Sequence, residues 1–113
     1  MNNSNFLKVL LALQALAVLV YTILVFQKEG ADLLSVFIAN IKNIDWNGQF
    51  NLDFSSYLTL SALWIMWRNH FSGSSIVIAI IAGVIGIIVF APYVLLLLIK
   101  EKGDLKKVLV GNR

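Results

Sequence analysis

Polar side chains are few in this chain, and those that could do chemistry fall on one line. Asp53, Ser56, Tyr57, Ser61, Trp64 and Arg68 recur at three- and four-residue steps, the spacing that places side chains on one face of an α-helix. An acid heading such a stripe could bind a cation, accept a proton or polarise a hydroxyl in a small cavity. In the plainer assignment Asp53 caps a helix start, where its carboxylate meets the positive end of the helix dipole. Ser56 and Ser61 then pack, or bond back to their own backbone. Of the two, the cap is the preferred reading.

Elsewhere the chemistry thins out. His70 is the only histidine and there is no cysteine, which excludes disulfides, thiolate catalysis and iron–sulfur ligation and leaves a metal or haem site short of ligands. Ser72-Gly73-Ser74-Ser75 beside His70 has neither a strand–turn–helix elbow nor an orienting acid, so it reads as a helix N-cap region and not as an acyl-transfer site. No phosphate-cradling glycine loop, catalytic carboxylate pair or zinc motif occurs. The expectation is no cofactor and no metal, with an enzyme the less favoured class.

The elements that hold these residues are apolar. Of 113 residues, 59% are hydrophobic and 13% charged, with a mean hydropathy of +0.84; soluble domains carry about a quarter charged residues. A domain this small cannot hide several long apolar runs from water, whereas a bilayer surrounds them with hydrocarbon. The pattern predicts one all-α integral membrane domain over 1–113, with three transmembrane helices at about 6–26, 50–68 and 76–99. The first is too long an apolar run for a signal peptide, and no small-residue cleavage site follows it. The second is short and polar on one side; the third carries no charge. Pro92 lies within the third and predicts a kink one turn earlier, near Ile88 and Val89.

Between the first two spans, Leu33, Leu34, Phe37, Ile38 and Ile41 share one side of a segment that starts at Asp32, a candidate N-cap. It predicts an amphipathic interfacial helix over about 31–43. Asp45-Trp46-Asn47-Gly48-Gln49 has turn chemistry and aromatics suited to headgroup depth. On the first span Gln14, with Tyr21 a heptad further on, is expected to face inward and hydrogen-bond a neighbouring helix. On the third, Ser75, Ala79, Gly83 and Gly86 form a small-residue stripe for close helix packing, within the chain or between copies.

The formal net charge is +3. Lys100, Lys102, Lys106, Lys107 and Arg113 cluster in the tail after the last apolar run, a topology signal and not a nucleic-acid surface. With three spans, the N-terminus shares a side with Arg68, and the tail shares the other with Lys28 and Lys42. The positive-inside rule then places the N-terminus outside and the C-terminus in the cytoplasm.

The order Gly30-Ala31-Asp32-Leu33-Leu34-Ser35-Val36-Phe37, then Phe50-Asn51-Leu52-Asp53, then Phe90-Ala91-Pro92-Tyr93 and a basic tail, resembles a family of small bacterial membrane proteins, domain of unknown function 2834. The resemblance runs from about Tyr21 to about Lys102. It implies a three-helix protein of the bacterial inner membrane, matches Asp53 and Pro92 to the family's recurring acid and proline, and supplies no activity. The turn from Asp45 to Gln49 departs from the pattern. The favoured function is a non-enzymatic accessory or lipid-binding bundle that meets the bilayer, with a membrane-protein partner or a second copy of itself. An oligomeric transporter or channel, and a membrane-embedded lipid isomerase or cyclase using Asp53, are the alternatives.

Overall fold

A computed structural model describes residues 3–112. It contains six helices, α1 (Asn3–Glu29), α2 (Leu33–Lys42), α3 (Trp46–Arg68), α4 (Gly73–Ile85), α5 (Ile87–Lys100) and α6 (Leu105–Val110), and no strand among the described residues. Short polar side chains start four of them: Asp32, Asp45, Ser72 and Asp104 each accept a hydrogen bond from the backbone N–H three residues on, at 2.9–3.3 Å. Each cap satisfies one of the donors that a helix start leaves orphaned.

Asp45 therefore opens α3 where the composition suggests a turn. The helix begins at Trp46, not near Phe50, and its 23 residues reach about 35 Å. Gly48 sits in its first turn because α2 lies across it: a Cβ there would come within 2.3 Å of the Asn40 carbonyl oxygen.

The run from Ile76 to Ile99 is not one helix. It divides at Gly86, whose φ of 94° and ψ of −140° fit glycine alone. Gly86 ends α4 by donating to the Ala82 carbonyl at 2.8 Å, and its own carbonyl accepts from Val89 and Phe90 at the start of α5. The bend falls here and not at Pro92, which α5 carries within its helix. Glycine releases the backbone from right-handed geometry altogether, whereas proline removes only one hydrogen bond.

The consequence is a helical hairpin. α4 starts four residues after Asn69, and α5 returns to the same place: Asn69 Nδ2 donates to Tyr93 Oη at 2.8 Å, and Arg68 Nη2 meets Glu101 Oε2 at 3.2 Å. At the other extreme Gly86 faces Phe54 and Leu58 on α3. With 13 and 14 residues, each arm is about 20 Å long. α4 runs antiparallel to α3, its Gly83 opposite Ala62, while α5 packs on α1. Leu11, Ala91, Leu97, Leu98 and Val108 form one core, and Ile65, Ala79 and Ala82 form another. The start of α1, the α3–α4 turn and the tail thus gather at one end of a molecule 44 Å long. The sequence reading separates the Arg68 loop from the tail because it takes 76–99 as a single crossing; the hairpin brings them together.

Candidate functional site

The polar stripe on α3 divides in two. Toward its start, Asp53 and Tyr57 are exposed and Ser56 donates to the Leu52 carbonyl at 3.0 Å. Ser61, half-buried, donates to the Leu58 carbonyl at 2.8 Å. The Ser56 and Ser61 hydroxyls are thus engaged within their own helix. Asp53 does not cap α3, because the helix has already run two turns from Asp45. Its carboxylate makes neither a hydrogen bond nor an ion pair among the described residues.

The other half of the stripe turns inward. Arg68 is 5% exposed, and its guanidinium holds three segments at once. Nε donates to the Val108 carbonyl, Nη2 donates to the Lys107 carbonyl at 3.1 Å and to Glu101 at 3.2 Å, and Nη1 donates to Asn69 Oδ1 at 3.0 Å. One turn earlier Trp64 donates its indole N–H to the Leu109 carbonyl at 2.8 Å, its ring edge-on to Phe90 and Tyr93. Arg68 and Trp64 thus take up the Val108 and Leu109 carbonyls at the end of the six-residue α6, and Arg68 shares the Lys107 carbonyl with the Gly111 N–H. Gly111 completes the join: at φ 66° its Cα lies so close to the Arg68 carbonyl that a Cβ would stand 2.7 Å from it.

Beside this junction lies a groove of about 420 Å³, walled by Leu7 and Leu11 of α1, Trp64 of α3, Phe90 and Val94 of α5, and Leu105, Val108 and Leu109 of α6. Its walls are hydrocarbon and aromatic ring, and the Trp64 N–H is already taken by Leu109. On the other side a polar cleft of about 160 Å³ is lined by Arg68, Asn69, His70, Ser72, Lys100 and Glu101. His70 and Phe71 adopt left-handed φ values of 57° and 56° in the tight α3–α4 turn. Among the described residues no cluster of three metal-ligating side chains occurs.

The remaining expected positions divide in the same way. Ser75 and Ala79 are buried, and with Gly83 and Gly86 they lie against α3 of the same chain; the neighbouring Ala82, fully buried, completes that face. Gln14 points outward, as does Tyr21. α1 instead presents Leu7, Leu11 and Ala15 to α5, where an inward amide would meet only apolar partners and lose its hydrogen bonds. The contribution of Glu101, Asn69 and the tail carbonyls is missed by sequence reasoning. Its one visible signal is a glycine in the middle of an uncharged run.

Among the described residues the fold is all-helical, and one helix is long and apolar enough to cross a membrane, Asn5–Glu29. No family model, curated protein or solved structure matches the chain.

Proposed function

We propose that this is a non-enzymatic membrane bundle of the lipid-binding or accessory kind. The observation that carries the reading is the state of α1: its most apolar stretch has a hydropathy of 2.6, yet only 6% of it is buried by the rest of the chain. Water would leave that surface uncovered, and a bilayer covers it. On this reading α1 crosses the membrane, the more polar α3 crosses beside it on the strength of its 23-residue length, α2 lies at one interface, and α4–α5 enters to half depth and returns. Two crossings and a re-entrant hairpin replace three spans. Backbone broken at membrane depth is tolerated where protein buries it, as Phe54 and Leu58 bury Gly86.

The same arrangement resets the orientation. Lys8, Arg68, Lys100, Lys102, Lys106 and Lys107 share one end, and Lys28 and Lys42 lie toward the other. The positive-inside rule favours both termini in the cytoplasm. A transporter would need polar groups at mid-depth, whereas the Gly86 bend at the hairpin tip faces Phe54 and Leu58. An Asp53-dependent lipid enzyme would need the acid beside an apolar pocket, and Asp53 is exposed on the far half of α3, away from the groove.

Because the chain has no cysteine, single replacements test the topology directly. Ser74→Cys and Lys102→Cys should react with an impermeant thiol reagent from the same side of the membrane, and Asn43→Cys from the opposite side. Labelling of positions 74 and 102 from opposite sides would restore the three-span arrangement, and extraction of the chain by alkaline carbonate would remove it from the membrane altogether.

A further inference from the structure

We infer that the groove between α1, α5 and α6 seats one acyl chain of an anionic phospholipid, whose headgroup is held by the lysines at its mouth. This rests on the lipid-binding reading and makes it specific. The groove wall comprises Leu7, Leu11, Phe90, Val94, Val108 and the carbon face of Trp64, so nothing inside it can recognise a polar ligand. Hydrocarbon is the one occupant it fits, and its 420 Å³ lies in the range of small-molecule sites, about 300–1,000 Å³.

The headgroup class follows from charge. Lys8 sits on α1 between Leu7 and Leu11, while Lys106 and Lys107 sit on α6 between Leu105 and Val108. On two of the four helices that wall the groove, α1 and α6, a lysine is thus the next residue in sequence to a wall leucine. The acids at this end are already engaged: Glu101 pairs with Arg68, and Asp104 caps α6 through the Lys107 N–H. Among the described residues that ion pair is the only one, so none of these lysines is paired with a described carboxylate. A basic surface next to a hydrocarbon slot attracts a lipid carrying net negative charge over a zwitterionic one.

Trp64 reports on the groove. In the Trp46→Phe, Trp67→Phe double variant, reconstituted in phosphatidylcholine vesicles containing an equal mole fraction of chain-brominated phosphatidylglycerol or chain-brominated phosphatidylcholine, Trp64 fluorescence should be quenched several-fold more by the anionic lipid. Lys8→Gln, Lys106→Gln and Lys107→Gln together should abolish that preference, and Leu11→Trp, read by native mass spectrometry, should displace the lipid. Native mass spectrometry of the unsubstituted chain from mixed micelles should likewise show one retained phosphatidylglycerol. Equal quenching by the two lipids would overturn the headgroup assignment while leaving the membrane bundle intact. No quenching by either, in vesicles with which the protein floats, would overturn the seated chain. Failure to float would overturn the membrane reading itself.

Discussion

The Arg68 guanidinium lies 3.2 Å from the Glu101 carboxylate across 33 residues of sequence. Every residue of α4 and α5 is contained in that interval. A straight helix over the same stretch would carry its far end about 50 Å away, so this one pair records that the chain turns back. The arginine is 5% exposed and the glutamate 21%; a buried guanidinium is tolerated because carbonyls from α6 and an amide from Asn69 take up its remaining donors.

Arg68→Ala should therefore do more than remove an ion pair. It leaves the Val108 carbonyl and Glu101 without their donor and the Lys107 carbonyl with the Gly111 N–H alone, an expected loss of about 3–5 kcal/mol by thermal unfolding in detergent. The tail after Gly103 should become the first site of proteolysis. Glu101→Gln, at a more exposed position, should cost about 1 kcal/mol or less.

Gly86→Ala should destabilise by about 1–3 kcal/mol through backbone strain at φ 94°. The added methyl also stands 3.3 Å from the Phe54 ring. Strain and contact can be separated: Phe54→Ala should not restore the stability of Gly86→Ala if the φ value is the main cost. Spin labels at positions 74 and 102 should move apart in Gly86→Ala and keep their distance in Pro92→Ala, because the bend belongs to the glycine.

Gly48→Ala should push α2 off α3, since a Cβ there overlaps the Asn40 backbone carbonyl. Faster cleavage between positions 30 and 46 is the expected readout. Gly73→Ala is its control: nothing lies within 4 Å of that position, and alanine in a helix favours stability over glycine by about 0.5–1 kcal/mol.

Asp53→Asn should change stability by less than about 0.5 kcal/mol, the usual size at an exposed site without partners. A larger shift in a melting curve would mean that the carboxylate is engaged by another molecule in the membrane.

Much of the helical architecture is legible in the residues. The apolar run from Phe6 to Phe26 lies wholly inside α1, and Asp32 marks the start of α2. Where the reading departs from the structure, the deciding forces are tertiary. Asn47-Gly48 has the composition of a turn, but it is helical because Asp45 caps it and because α2 needs the space that a side chain would fill. The run 76–99 is uniformly apolar, so hydropathy has no contrast with which to mark a reversal; only Gly86 carries it. α6 is too short to stand alone, and it exists because Arg68 and Trp64 reach it from 40 and 45 residues away. The site residues missed are those that α6 and the hairpin bring together.

The half-depth hairpin also makes the molecule taper. Toward the termini, α1, α3, α4 and α5 are all present in cross-section; beyond Gly86 only α1 and α3 continue, braced by α2. In the proposed topology the protein displaces far more lipid from the cytoplasmic leaflet than from the other. A wedge of this kind imposes curvature on the membrane around it, and it should gather where the bilayer already bends to match.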